Sequence, residues 1–270
     1  MTHPLSWPDF RVRRWATRDL RVNPVLYSEV AWMPDQRTLL VKRIPPGRGA
    51  QPEKPPAPPG PKVEESSGGS ATSTYEARDL LTGLYDEALF EHYALSQLVL
   101  VDAESGQLTS VGEPGILATV QPSPGGRLIL VERLHKPWSY LYTWRRFPKD
   151  VEIWGVDGKR VHVAARLPLA DQVPIRGVPE GPREHEWRST EPATLVWFEA
   201  LDGGDPGREA TYRDRLMMQK APFREEAREI YRAPHRIVRL GWGERDGLLM
   251  VIEWERERYC ELPEILHHRK

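Results

Sequence analysis

Short apolar runs of strand length, each introduced by a turn phrase, recur along the chain. Trp32-Met33-Pro34-Asp35 leads into residues 38–44, and Pro122-Ser123-Pro124-Gly125-Gly126 leads into residues 127–134. Trp187-Arg188-Ser189-Thr190-Glu191-Pro192 leads into residues 193–200, and Trp242 opens a fourth copy. There Glu244-Arg245-Asp246-Gly247 supplies the turn before residues 248–253, and its Asp-Gly pair suits the positive backbone angles of a tight hairpin. Further hairpins lie between the copies. Residues 97–101 turn at Ala103-Glu104-Ser105-Gly106 into residues 107–111, and residues 151–156 turn at Asp157-Gly158 into residues 159–164. The second pair alternates apolar and polar positions as half-buried strands do.

Four strands per unit of roughly 40 to 50 residues, repeated, are the sequence sign of propeller blades. A β-sandwich could be built from the same hairpins, but the turn phrase recurs at blade-like rather than strand-like spacing. The expected fold is therefore all-β, a partial β-propeller of about four to five four-stranded blades. Trp154, Trp197 and Trp254 are expected to pack between blades. Residues 45–96 break the pattern and read as an insertion. Its first half is dense in proline, glycine and serine and buries little, so an extended surface loop is expected. Ser73 and Glu76 then have capping-box spacing, and Leu80, Leu81, Leu84, Ala88, Leu89 and Tyr93 recur near the helical period. Gly83 is expected to split this run into two short helices. The whole of residues 1–270 is then one incomplete propeller domain carrying an insertion.

Composition removes several functions. Thirty-eight basic and 39 acidic residues leave a net charge of -1, so nothing favours nucleic acid or an anionic membrane surface. No apolar stretch approaches the ~20 residues of a membrane helix, and a soluble protein is expected. Met1 to Asp19 lack the apolar core of a secretory signal. The compartment stays open. Cys260 is the single cysteine, which excludes an internal disulfide and a cysteine-rich metal site. The eight histidines show no His-Glu-x-x-His pattern, and neither a metal nor another cofactor is expected. His162 reads as a cross-strand or surface residue. Asp202 and Asp205, in Leu201-Asp202-Gly203-Gly204-Asp205-Pro206, read as a turn before they read as cation ligands.

Serine hydrolases of the α/β class hold their nucleophile in Gly-x-Ser-x-Gly, and this sequence contains none. Ser66 and Ser67 precede glycines, but only within the Pro/Gly/Ser loop. The densest constellation is Arg133-Leu134-His135-Lys136-Pro137-Trp138-Ser139-Tyr140 followed by Trp144-Arg145-Arg146-Phe147-Pro148. Cations interleaved with aromatics on one loop can grip a carboxylate through bidentate arginine contacts. The same residues can instead form a solvated loop whose arginines stack on nearby rings.

Longer phrases carry a family resemblance. They are Val41-Lys42-Arg43-Ile44-Pro45-Pro46-Gly47-Arg48-Gly49, Asp86-Glu87-Ala88-Leu89-Phe90-Glu91, Tyr93-Ala94-Leu95-Ser96-Gln97-Leu98, the loop of residues 134–140, Arg146-Phe147-Pro148, and Pro192-Ala193-Thr194-Leu195-Val196-Trp197 through Asp205-Pro206. Over residues 18–258 the sequence resembles the glutamyl endopeptidase branch of the prolyl oligopeptidase family of serine peptidases. It departs from that pattern at Trp32-Met33-Pro34-Asp35-Gln36 and at Gly125, where a turn remains feasible. The resemblance implies a β-propeller preceding a catalytic α/β-hydrolase domain, cleavage after acidic residues, and an exported or plastid setting. It further implies that this chain holds no catalytic residue and that the hydrolase domain is missing from it. On that reading the chain gates the active site and helps bind an acidic peptide substrate, with His135, Lys136, Arg145 and Arg146 attracting the acidic side chain. The chain alone is expected not to hydrolyse peptides. The alternative is a free-standing propeller used as a binding module.

Overall fold

The structure, a computed structural model, describes residues 20–27, 30–56, 80–174, 176–243, 248–255 and 260–267. Among them, strands form three antiparallel sheets, each ordered as the chain runs. The first sheet joins β1 (Val30–Trp32), β2 (Thr38–Arg43), β3 (Leu95–Asp102), β4 (Leu108–Pro122), β5 (Leu128–Leu134), β6 (Lys149–Gly155) and β7 (Arg160–Leu167). The second contains β8 (Pro182–Trp187), β9 (Thr194–Ala200), β10 (Asp214–Lys220) and β11 (Arg228–Ala233). The third contains β12 (Arg236–Trp242), β13 (Leu248–Glu255) and β14 (Cys260–His267). The fold is all-β with curled antiparallel sheets. No helix among the described residues is long and apolar enough to cross a membrane.

The first sheet differs from the expectation of separate four-stranded units, and β4 is the reason. The sequence reading ends this strand at Val111. The strand instead continues to Pro122, pairing with β3 through residues 108–116 and with β5 through residues 116–122. Register shifts against both partners and a positive φ of 61° at Gly112 let it bend rather than stop. Any side chain there would meet the ring of Trp154, and the Asp157-Gly158 turn packs its glycine against the Gly112 backbone. Two four-stranded meanders, β1–β4 and β4–β7, thus share one long strand.

Apolar faces then pack in series. Leu40, Leu98 and Val111 from the first meander meet Ile129, Val131 and Trp154 from the second. Leu130, Val151 and Ile153 on the second meander's other face meet Trp187, Leu195 and Trp197. Val196, Phe198 and Leu216 on the far side of the second sheet meet Ile237, Leu249 and Val251 of the third. Consecutive residues of β5 and β9 therefore feed opposite cores. This explains why these strands read as unbroken apolar runs instead of alternating. Each fully buried aliphatic side chain contributes about 1.5–3 kcal/mol of transfer free energy.

The repeated turn phrases also meet one another. Met33 N donates to Thr38 O, Ser123 N to Leu128 O and Arg188 N to Thr194 O, each at 2.8 Å, so the three turns close alike. Gly126 lies against Pro34, Gly125 N donates to Pro192 O at 2.7 Å, and the Arg188 guanidinium sits 4.5 Å from the ring centre of Trp242. Equivalent corners of successive meanders are thus neighbours. The expected turn at residues 244–247 lies outside the described residues.

Between β2 and β3, which pair directly, the chain carries the insertion. Ser73 and Glu76 lie outside the described residues, and residues 80–82 are not helical. One helix, α1 (Leu84–Ala94), follows Gly83 and runs straight into β3. Its apolar residues form no continuous stripe, and specific contacts place it. Phe90 packs edge-on against Trp138 and Phe147, with ring centres 5.1 and 5.6 Å away, and Ala94 is fully buried.

Candidate functional site

The loop joining β5 to β6 carries all four candidate residues. It leaves β5 at Leu134, passes a cis Lys136–Pro137 bond and a short 3-10 turn at Trp144–Arg146, and re-enters the sheet at Lys149. Aromatic packing fixes it. Trp138 and Phe147 lie against each other at 5.3 Å, and Ser139 Oγ accepts the backbone N–H groups of Leu141 and Tyr142.

The four candidate residues separate into three environments. Lys136 faces α1, where its ammonium lies 2.6 Å from Glu91 Oε1 and 3.7 Å from Glu87 Oε2. Trp138 Nε1 donates to the same Glu91 oxygen at 2.7 Å, and the Tyr140 hydroxyl donates to Glu87 Oε1 at 2.5 Å. Burial works against ionisation of Glu91, but Lys136 and Trp138 outweigh it and hold the carboxyl below its usual range. The Glu91 contact raises Lys136, and the Glu87 hydrogen bond pushes Tyr140 up to about 12. Lys136 therefore fastens the loop to the inserted helix.

His135 turns the other way. Its Nδ1 is 2.8 Å from Lys136 O and its Nε2 3.8 Å from Asp150 Oδ1, and it lines a cavity of about 660 Å³ together with Arg133 and Arg166. Arg145 and Arg146 line a second cavity of about 680 Å³. Arg145 stacks over Trp144 at 4.9 Å and Tyr27 at 5.4 Å, and Arg146 over Tyr142 at 4.7 Å. The stacking alternative is thus realised for both arginines. Arg146 nevertheless keeps its Nη1 buried without a hydrogen-bond partner.

The second cavity contains residues that the sequence did not point to. Arg183 and His185, on β8, line it beside Lys149 and Glu132 of the first sheet. His185 is buried, its ring stacks on Trp197 at 5.8 Å, and burial pushes its pKa down to about 4, so it is neutral at pH 7. Burial, and secondarily Glu184, raises Glu186. Glu132 is engaged by Lys149 at 3.1 Å and by the Thr119 hydroxyl at 2.8 Å. A lone histidine in Pro182-Arg183-Glu184-His185-Glu186-Trp187 carries no motif. The strand alternation that points Arg183, His185 and Trp187 to the buried side was the only available signal.

Asp202 does not hold a cation. It is almost fully buried and accepts two contacts from Arg236, at 2.5 and 2.6 Å, and one from Arg213 at 2.9 Å. Asp205 caps a local turn by accepting Gly207 N. His162, on β7, stacks on Phe223 of the β10–β11 connection with ring centres 4.8 Å apart, a contact between sheets in place of the cross-strand or surface role expected of it. No group of His, Cys, Asp or Glu among the described residues could hold a metal ion.

Fold and site together define an all-β domain of serially packed meanders with a cavity of mixed charge beside its second meander, lined by Arg145, Arg146, Lys149 and Arg183 and by Glu132, Asp171, Glu180, Glu184 and Glu186. Comparison with known proteins goes further. The chain is 36% identical over 237 residues to a probable chloroplastic glutamyl endopeptidase of Oryza sativa subsp. japonica. It is 38% identical over 247 residues to the probable chloroplastic glutamyl endopeptidase of Arabidopsis thaliana. The matches cover 86% and 90% of this chain, so it is a homologue of part of these glutamyl endopeptidases. It spans only 25% of the length of either relative. No protein-family model matches the chain. Among solved structures, an uncharacterized Listeria monocytogenes protein aligns over 94% of this chain and 66% of its own, with TM-score 0.37 and 9% identity. Pyrococcus horikoshii acylaminoacyl peptidase aligns over 63% of this chain and 26% of its own, with TM-score 0.37 and 15% identity.

Proposed function

We propose that this chain is the non-catalytic β-propeller portion of a serine peptidase of the prolyl oligopeptidase type, cleaving after acidic residues. Its part is to gate the approach of extended peptides and to help hold the acidic side chain. The observation that carries this reading is identity of 36% and 38% to glutamyl endopeptidases, running along nearly the whole chain. The meanders β1–β4, β4–β7, β8–β11 and β12–β14 are read as successive blades. Their face-to-face packing in series and the contacts between equivalent turns support that reading.

Within this role the loop residues divide the work. Arg145 and Arg146 border the larger cavity and supply the positive field for an acidic side chain, and His135 contributes from the smaller one. Lys136 is committed to Glu91, so it sets the loop's position. Chemistry falls to a hydrolase domain as partner, because the sequence offers no Gly-x-Ser-x-Gly nucleophile. A chimera tests the assignment. Residues 20–267 placed in the aligned stretch of the Arabidopsis relative should retain cleavage after glutamate. In that chimera Arg146→Ala should raise KM for glutamyl substrates more than for neutral ones. A chimera that folds but cleaves without regard to this region, or equal KM changes, would reject the role.

A further inference from the structure

The smaller hollow has a charge pattern that its larger neighbour lacks. Arg133 on β5 lies in register with Asp150 on β6, and Asp150 lies in register with Arg166 on β7. Directly opposed residues of adjacent strands share a face, so the three form one row across the second meander and line the hollow of about 660 Å³. Glu132 and Lys149, one position earlier on β5 and β6, belong to the other face and line the larger cavity.

Charge in this row is unbalanced. Asp150 is the single carboxylate in the lining, against the guanidinium groups of Arg133 and Arg166. Among the described residues Asp150 pairs with His135, at 3.8 Å, and Arg166 pairs with no carboxylate. Arg133 reaches Glu152 at 3.7 Å, but that buried carboxylate is held closer by Arg160, at 2.9 Å, and by Trp154 Nε1, at 2.8 Å. Even with Glu152 and Arg160 counted, three guanidinium groups stand against two carboxylates. In the larger cavity acidic residues outnumber basic ones. Shape adds an apolar wall to the smaller hollow. The Arg133 stem lies against Gly115, where any side chain would meet its Cδ at 3.2 Å, and Ile116, Leu134, Leu167 and Pro168 complete the lining. Leu167 and Pro168 also line the larger cavity, so the two hollows adjoin, and the β5–β6 loop contributes to both.

We propose that the smaller hollow seats the acidic side chain of a peptide, and that Arg133 and Arg166 are its specificity-determining residues. Strands lie about 5 Å apart, so two strand spacings separate the arginines and one carboxylate between them can meet both. Their paired N–H donors take its oxygens, while its methylenes rest on the apolar wall. The proposal rests on the acidic-peptide reading above, and moves the point of recognition from the candidate loop to the sheet beside it. Arg145 and Arg146 act on the same group at longer range, through their field.

NMR titration of the 270-residue chain reads the arginine Nε–H signals against three probes: acetyl-Ala-Ala-Glu-amide, acetyl-Ala-Ala-Gln-amide and sodium acetate. The glutamyl peptide should shift the Arg133 and Arg166 signals saturably, and should bind about tenfold or more tighter than the glutaminyl one. Acetate should bind more weakly than the glutamyl peptide. Arg166→Gln, on the last strand of the first sheet, should remove most of the preference at an unchanged melting temperature. Arg133→Lys should weaken it in part, since an ammonium lacks the fork. Arg127→Gln makes the same charge change in the exposed turn at the other end of β5 and should leave binding intact. Equal binding of the two peptides, full preference in Arg166→Gln, or acetate binding as tightly as the glutamyl peptide would each overturn the proposal. The chimera separates that failure from failure of the peptidase reading. A preference for glutamate that responds to Arg146→Ala but not to Arg166→Gln rejects the seat alone. Binding to the chain through Arg166, with a folded chimera that does not cleave after glutamate, rejects the peptidase reading alone.

Discussion

His185 shows how much a single buried group can govern. Its ring is held between Trp197 and the cavity, and desolvation favours the neutral form, with Glu132 and Glu199 opposing and Lys149 assisting more weakly. An unfolded chain would protonate this histidine near the usual histidine value of 6.5, while the folded chain waits until about 4. Between those values the unfolded state binds the extra proton, so stability falls as pH falls through that window. The full effect is roughly 3 kcal/mol, present above pH 6.5 and exhausted near pH 4. Urea unfolding of the parent chain and of His185→Asn measures it. At pH 7 the variant should be the less stable of the two. At pH 4.5 the gap should narrow by about 2 kcal/mol, because only the parent loses the histidine contribution. A gap independent of pH would mean that His185 is not held neutral by the fold.

The elements are joined by polar contacts as well as apolar ones. Asp202, in the connection after β9, reaches Arg236 at the start of β12, while Asp214 on β10 takes Arg236 at 2.7 Å and accepts Ile237 N at 2.8 Å. The cluster thereby fastens the second sheet to the third. Replacing Asp202 by asparagine removes the carboxylate paired with Arg213 and one of the two paired with Arg236, which keeps Asp214, so a loss of about 1.5–3 kcal/mol is expected. Asp205→Asn, in the exposed part of the same connection, should cost little. Chemical denaturation of the two variants checks the difference, and similar losses would dismiss the cluster as a fastening. The apolar runs and Pro/Asp/Gly turns were legible in the sequence because strand patterning and turn chemistry are local. Residues 128–134 and 194–200 are cases in point. The continuity of β4 was not legible, since the bend at Gly112 depends on contacts with Trp154 and Gly158 of the second meander. Asp202 was read as a turn residue because its partners lie 11 and 34 positions away. The candidate loop was found from its basic residues, but their division between helix and cavity depends on Glu91 and on the rings of Tyr27, Trp144 and Tyr142.

At the scale of the whole molecule, the third sheet presents one covered face and one open face. Leu249, Val251 and Ile237 pack inward against Val196, Phe198 and Leu216. On one face of β13 Met250 and Trp254 are 38% and 36% exposed on either side of the buried Ile252, and Ile265, in register with Met250 on β14, is 63% exposed. Beside them β14 ends the sheet, and no strand among the described residues pairs with its outer edge. An apolar face next to a free strand edge is the arrangement that draws in another chain. The purified 270-residue chain should therefore self-associate through the third sheet, in a concentration-dependent way. Light scattering coupled to size exclusion should report dimers or larger species for the parent chain. Ile265→Lys should shift the population toward monomer without lowering the melting temperature, since that side chain contributes little to the interior. Leu84→Lys is the control. Leu84 is 79% exposed on the inserted helix, remote in sequence from the third sheet, and the same charge placed there should leave the association unchanged. A parent chain that remains a monodisperse monomer at tens of micromolar, or equal effects of the two lysines, would show that the open face of the third sheet is not a contact surface.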